Sequence, residues 1–213
     1  MRKVFWDNPY QQSLTTKVAH VNGNEVLFDE TIVYSFSGGQ ESDKATVNDQ
    51  PILDSRKEGT LIYYILPNGH NLSVGDEVKI RIDWQRRYRL MRLHFAAELV
   101  LEIVTQKYHL EKVGAHIAEN KARIDFVYGE HISSLFDVIL EEYNKIIHAD
   151  YPIQTGFTDI TTQRRFWKID GFAEVPCGGT HVKSTKEVGL INLKRSRSGK
   201  GIERIEIKLV DDT

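Results

Sequence analysis

At Trp84 the apolar residues of this chain change their period, and that switch constrains the fold more than any other feature. Before it, the chain reads as short strands separated by turns. Residues 17–21 and 25–28 are apolar-rich runs flanking Asn22-Gly23-Asn24, a hairpin signal. Residues 31–36 run into a Gly38-Gly39 loop, and 52–53 and 61–66 are further strand candidates. Residues 78–83 alternate apolar and charged side chains, as a half-buried strand does. Short strands at this spacing predict a small barrel or sandwich. After the switch, Leu90, Leu93, Ala97, Val100 or Leu101, and Val104 recur at helical spacing, with Asp83 placed as the N-cap. A second helix is predicted over 131–147, with Ile132, Phe136, Ile139 or Leu140, Tyr143 and Ile147 on one face. Strand-like runs at 122–128, 164–169, 188–193 and 202–209 complete this half. The expected fold is therefore α+β: a β-barrel-like N-terminal domain over residues 1–84, then an α+β domain over 85–213 with two long helices against an antiparallel sheet.

Charge and cysteine usage narrow the function. The 28 basic and 30 acidic side chains leave a net charge of −2, unlike a protein that coats nucleic acid non-specifically. Contact with RNA would fall to local patches, and two are present. One is Arg86, Arg87, Arg89 and Arg92; the other is Lys194, Arg195, Arg197 and Lys200. The single cysteine, Cys177, permits no internal disulfide. No apolar run approaches the roughly 18 residues of a membrane span, and the basic start lacks the apolar segment of a signal peptide. The expected location is the cytoplasm.

His94 and Glu98 stand four apart, about one turn along one face of the first helix, in a row with the apolar Met91 and Leu101. A carboxylate beside a buried stripe needs a partner, because burying an unpaired charge is costly. A metal ion would serve, and so would an ordinary His–Glu hydrogen bond. The four arginines at the helix start run against the helix dipole, which favours acidic groups there. They are either solvated surface charges or the lining of a phosphate path.

The segment Val175-Pro176-Cys177-Gly178-Gly179-Thr180-His181 is the most informative in the chain. Cys and His are both zinc ligands, and three intervening residues let one loop fold both onto one ion. The two glycines permit unusual backbone angles and leave amides able to face an anion or carbonyl oxygen. Alone, Cys-x3-His is a weak signal. Joined to His94 and Glu98 it completes a four-donor set.

These residues resemble a known family. Pro-Cys-Gly-Gly-Thr-His-Val at 176–182 is similar to the zinc segment of the editing domain of alanyl-tRNA synthetase and of its free-standing relatives, the AlaX proteins. Met91-Arg92-Leu93-His94 resembles the partner segment, which in the family continues as His-x3-His; here Glu98 replaces the second histidine. Thr31-Ile32-Val33-Tyr34, followed by Gly38-Gly39-Gln40 and Asp43, resembles the family's Thr-x-Phe-Tyr … Gly-Gly-Gln-x-x-Asp segment. Asp83-Trp84 through Arg87, and the run at 199–205, fit as well. The resemblance covers nearly the whole chain.

The resemblance implies a trans-editing hydrolase that deacylates seryl- or glycyl-tRNA of the alanine type, with zinc as cofactor and tRNA as partner. It assigns His94, Cys177 and His181 to the metal, and the helical register of Glu98 with His94 makes Glu98 the expected fourth ligand. It gives Thr31, Gln40 and Glu98 catalytic or specificity roles, with Glu98 a fourth ligand or a general base. Arg86, Arg87, Arg92, Gly178, Gly179, Lys194, Arg195 and Arg197 are the expected tRNA contacts. Three other readings remain: a tRNA-binding module whose metal is structural, a metal-dependent hydrolase of another substrate, and a family member without metal. A zincin protease is disfavoured, because the stretch from His94 to Glu98 lacks the His-Glu-x-x-His order.

Overall fold

The chain opens with a short strand, β1 (Arg2–Lys3), and a single helical turn, α1 (Val4–Asp7). The computed structural model describes residues 1–199 and 201–210. The chain separates into two units, Met1–Ser37 with Glu41–Tyr88, and Gly38–Gln40 with Arg89–Thr213.

In the first unit the Asn22-Gly23-Asn24 signal forms its hairpin. Strands β2 (Ser13–Asn22) and β3 (Glu25–Phe28) pair antiparallel, with Asn22 opposite Glu25. Next come β4 (Glu30–Thr31), parallel to β1, then β5 (Ala45–Val47), β6 (Gln50–Pro51), β7 (Asp54–Glu58), β8 (Leu61–Ile65) and β9 (Glu77–Ile82). The main sheet is antiparallel with order β6-β5-β9-β2-β3-β8-β7. Strand β2 pairs with β9 over 13–17 and with β3 over 18–22, and its register shifts between Val18 and His20. Such a bulge bends a strand, and here it lets one strand serve two neighbours and curl the sheet. Val18, Val26, Phe28, Ile62, Tyr64, Val78 and Ile80 point inward and form the core.

The strand expected over 31–36 ends at Thr31. The next amides are taken by side chains rather than by a neighbouring strand. Val33 N–H donates to Thr31 Oγ1 (3.0 Å), Tyr34 N–H to Asp43 Oδ2 (2.6 Å) and Phe36 N–H to Ser42 Oγ (2.8 Å). Short polar side chains compete with ladder pairing in this way.

Helix α2 (Trp84–Tyr108) starts where Asp83 Oδ1 accepts the Arg86 amide at 3.1 Å. Its middle is buried on every side: Leu90, Met91, Leu93, Phe95, Ala96, Leu99, Val100 and Val104 are all fully buried. A helix apolar all round belongs at the centre of its unit rather than on one face. Polar groups such as His94 on that stretch must therefore find partners inside the protein.

Strands β10 (Lys112–Ile117) and β11 (Ala122–Val127) follow, then a 3-10 turn (Ile132–Leu135) leading into α3 (Phe136–Ala149). The helix expected from residue 131 thus begins with a tighter turn, whose Ile132 amide is held by Glu203 Oε2 at 3.2 Å. Strands β12 (Gln154–Asp159), β13 (Arg164–Ile169) and β14 (Ala173–Pro176) make a three-stranded antiparallel sheet. A short turn, α4 (Thr185–Val188), precedes β15 (Ile191–Gly199) and β16 (Ile202–Leu209), so Val188 closes a helix rather than opening a strand. The second antiparallel sheet has order β10-β11-β16-β15. Ile205, Ile207 and Leu209 alternate on its buried face with Ile124 and Phe126. The architecture is α+β, as the pattern predicts. Among the described residues, no helix is long and apolar enough to cross a membrane.

Candidate metal centre

Helix α2 sets His94 and Glu98 one turn apart, and their side chains meet: His94 Nε2 lies 3.2 Å from Glu98 Oε1. Strand β14 ends at Pro176 and delivers the glycine-rich loop, whose first residue is fixed by the Cys177 amide donating to the Arg165 carbonyl at 2.9 Å. Cys177 Sγ then stands 3.4 Å from His94 Nε2, 3.3 Å from His181 Nε2 and 3.6 Å from Glu98 Oε1. The donor atoms of His94, Cys177 and His181 all lie within 4.8 Å of one another, and these three residues could hold a metal ion. Glu98 falls outside that mutual set, although it touches two of its members.

A second layer orients the donors. The Gly38–Gln40 segment runs beside β10, with the Ile117 amide donating to the Gly39 carbonyl at 2.8 Å. Gly39 has φ +86°, and a Cβ there would come within 2.7 Å of the Ala115 carbonyl oxygen, so only glycine fits. This brings fully buried Gln40 to His94. Gln40 Nε2 donates to Thr180 Oγ1 at 2.9 Å, so its Oε1 is the acceptor that meets His94 Nδ1 at 2.6 Å and the Thr180 amide at 3.3 Å. His94 therefore carries a proton on Nδ1, and in its neutral form turns the Nε2 lone pair toward Cys177. Gly179 packs so closely that a Cβ there would overlap the His94 imidazole and approach Gln40. On the other side, Trp167 Nε1 donates to Glu98 Oε2 at 3.0 Å.

The electrostatics follow from this crowding. Burial opposes charge on His94, but the Cys177 sulfur and the Glu98 carboxylate facing Nε2 outweigh it and raise His94 to about 10. Burial also works against the Glu98 anion; the His94 contact and the Trp167 N–H overcome this and hold Glu98 at about 2. His181 is pushed down to about 3, by burial first and by positive charge on His94 second. The cluster thus has a place for one positive charge at its centre, where a metal ion competes with a proton.

The remaining expected residues scatter. Thr31 belongs to the first unit and is fully buried; its Oγ1 lies 2.7 Å from Tyr64 Oη and accepts the Val33 amide, while Tyr64 donates to the Val33 carbonyl at 2.7 Å. Arg87 is also fully buried there. It pairs with both Asp43 oxygens, one at 2.8 Å, and donates to the Ile32 and Pro9 carbonyls at 2.6 and 3.0 Å. Arg86 is buried against Glu41 and the Ser42 carbonyl. A phosphate path through Arg86 and Arg87 is thereby corrected: both guanidinium groups are spent on internal struts. Arg89 donates to the Glu119 carbonyl at 3.3 Å and Arg92 to the Val188 carbonyl at 3.0 Å. Gly178 is exposed and Gly179 buried. Lys194 and Arg197 are exposed, whereas Arg195 is tied to Glu203. Lys200 lies outside the described residues. Sequence reasoning missed Trp167 as a partner of Glu98; its buried register in β13 is legible, but its partner is 69 positions away.

Residues 165–206 match the model of the threonyl and alanyl tRNA synthetase second additional domain. Alanyl-tRNA editing protein AlaX-M of Pyrococcus horikoshii is 35% identical over 98% of this chain and 97% of its own length. The chain belongs to the AlaX family. A longer relative, AlaX-L of the same organism, is 30% identical over 97% of this chain but only 57% of its own length. The alanine–tRNA ligase of Methanococcus aeolicus is 27% identical over 95% of this chain and 25% of the ligase. Among AlaX proteins this chain thus matches AlaX-M along almost its full extent, and the glycine-rich segment that carries Cys177 and His181 lies inside the stretch shared with the synthetase domain.

Proposed function

We infer that this AlaX protein is a trans-editing hydrolase that cleaves the aminoacyl ester of mischarged alanine tRNA, above all seryl-tRNA, at a zinc centre held by His94, Cys177, His181 and Glu98. One observation carries the reading. Zinc–nitrogen bonds of about 2.0–2.1 Å and zinc–sulfur bonds of about 2.3 Å place tetrahedral donors about 3.3–3.6 Å apart. The four close donor contacts here span 3.2–3.6 Å. The mixed nitrogen, sulfur and oxygen set suits zinc. Cys177 meets that spacing with both histidines and Glu98 meets it with His94 and Cys177, while Glu98 lies outside the mutual set of the other three.

When bound, such an ion supplies a Lewis acid or a more acidic water for ester hydrolysis. The chain's own residues have separate tasks in this reading. Gln40 fixes the His94 tautomer, Trp167 and His94 keep Glu98 ionised, and the exposed Gly178 offers backbone at the mouth of the loop. Lys194 and Arg197 remain as phosphate contacts on β15, with Arg92 beside α4. The serine hydroxyl is assigned to Thr31 on the family resemblance. Its Oγ1 keeps one acceptor site after the Val33 amide, and a pocket that hydrogen-bonds a substrate hydroxyl can reject the analogue lacking it by about 10⁴–10⁵. Thr31→Val should lower serine-over-alanine discrimination; unchanged discrimination removes Thr31 from the role.

One observation favours a second reading. Four close donors would close a tetrahedral ion, which is the pattern of structural zinc, and the protein would then be a tRNA-binding module of the same family. Release of free serine from seryl-tRNA of the alanine type, lost on adding a chelator and regained with Zn2+, is the expected result. Tight tRNA binding without serine release would decide for the module.

A further inference from the structure

Glu98 stands where the family pattern has a histidine, and its two oxygens are used differently. Oε1 faces the donors, 3.2 Å from His94 Nε2 and 3.6 Å from Cys177 Sγ. Oε2 accepts the indole N–H of Trp167 at 3.0 Å. Trp167 is fully buried, so its N–H needs an acceptor; a buried donor left unmet costs about 1–3 kcal/mol. The indole is held on several sides. Strand β13 is paired by β12 and β14, with Trp167 opposite Thr155 and Val175. Phe95 meets the ring edge-on at 5.0 Å and 67°, and Phe95 itself packs edge-on against His181 at 5.6 Å.

We propose that Trp167 is a positioning residue that turns Glu98 into a one-oxygen metal ligand. An imidazole offers one lone pair to a metal; a carboxylate offers two oxygens and several geometries. The indole N–H occupies Oε2, leaves Oε1 to the cation, and stops the carboxylate from turning to chelate or swinging away. Glu98 then presents a single, aimed donor, which is what the histidine of the family pattern would present. The tryptophan N–H goes to Glu98, outside the mutual set, so its effect on the cation is exerted through Glu98. This inference rests on the metal centre proposed above.

The test is a double-mutant cycle on the full chain. Zn2+ affinity is measured by competition with a chromophoric chelator, and coordination by the visible spectrum of the Co2+-loaded protein, for wild type, Trp167→Phe, Glu98→Ala and the double variant. Phenylalanine keeps an aromatic ring against Phe95, removes the donor and leaves a small gap, whose packing effect the Glu98→Ala background measures separately. Trp167→Phe should weaken Zn2+ binding by about 10–100-fold, the usual cost of losing a group that orients a ligand, and should change the Co2+ spectrum. In the Glu98→Ala background it should add less than about twofold. Wild-type affinity with an unchanged spectrum overturns the proposal. So does a loss that persists at full size without Glu98, since Trp167 would then act by packing. A wild type that takes up neither ion overturns the metal reading along with it, whereas the first two outcomes leave that reading standing. Should Trp167→Phe fail to fold, the wild type and Glu98→Ala carry the test through their three indole N–H signals in a ¹⁵N spectrum. One signal should be protected from exchange in the metal-loaded wild type and lose protection in Glu98→Ala; the absence of any such signal overturns the proposal.

Discussion

Helix α2 carries two buried polar constellations that are built on opposite principles. In its first turn, within the first unit, Arg87 is fully buried and closed on Asp43, with two backbone carbonyls absorbing the rest of its donors. Farther along, within the second unit, His94 and Glu98 meet Cys177 and His181. The arginine pair holds one positive and one negative group and is complete. The other constellation collects lone pairs that face one another and must borrow a cation, from a proton on His94 or from a metal. Burial alone therefore does not mark a functional group. What separates the strut from the site is whether the buried charges cancel without outside help.

Several changes would break or sharpen this contrast. The largest effect is expected for Arg87→Ala, which leaves Asp43 buried and unpaired and should cost about 3–5 kcal/mol of stability in denaturant unfolding. Removing both charges, as in Arg87→Met with Asp43→Leu, should recover most of that loss, because a complete pair replaced by apolar groups is often near neutral. A double variant as unstable as the single one would show that the backbone contacts of Arg87 matter more than the pair. At the other constellation, Cys177→Ala should lower deacylation by about 100-fold or more and reduce bound metal, with little loss of fold. Retained metal and activity would turn the cluster into a second strut.

Gly179→Ala drives a Cβ into the His94 ring and should cost about 1–3 kcal/mol as overpacking, together with metal affinity. Gln40→Leu should weaken metal binding by about 10–100-fold while the protein stays folded, since it frees the His94 tautomer without touching the donors. The smallest effect concerns acid. Glu203 is held at about 2 by its Arg195 ion pair, with the Ile132 amide helping against burial, and Asp125 is lowered by Arg204 and Arg123, which overcome its burial. A carboxylate depressed in the folded state stabilises above its unfolded value and loses that contribution as pH falls through the folded one. The contribution of these two ion pairs should thus be flat above about pH 4.5 and be lost gradually toward pH 2, as the difference in thermal unfolding at graded pH between wild type and Glu203→Gln or Asp125→Asn would reveal. A decline that begins near neutrality would point to other groups.

What the sequence makes legible is local. Period-2 alternation fixes β13 and β16 to the residue, Asp83 caps α2, and Gly23-Asn24 turns the first hairpin, because each rests on neighbours in the chain. The i,i+4 spacing of His94 and Glu98 and the Cys-x3-His loop are local in the same way. Their convergence is not: the donor types suggest it, and the family resemblance supplies the pairing of the two segments. The arginines were misread for a related reason: a charge run looks solvated until its counter-charges are known, and Asp43 is 44 positions from Arg87. Helix α2 misled in its packing too, since a stripe suffices to predict a helix but cannot say that the other faces are buried as well.

The short run Gly38–Gln40 groups with the second unit although the residues on both sides of it group with the first. Anyone excising the second unit at Arg89 would keep His94, Glu98, Cys177 and His181 and discard the amide side chain that meets His94 Nδ1. Such a fragment would still bear all four side chains of the cluster, yet its imidazole would be free to present either nitrogen. A graft of those three residues, rather than a longer linker, is what a transplanted version of this centre would require.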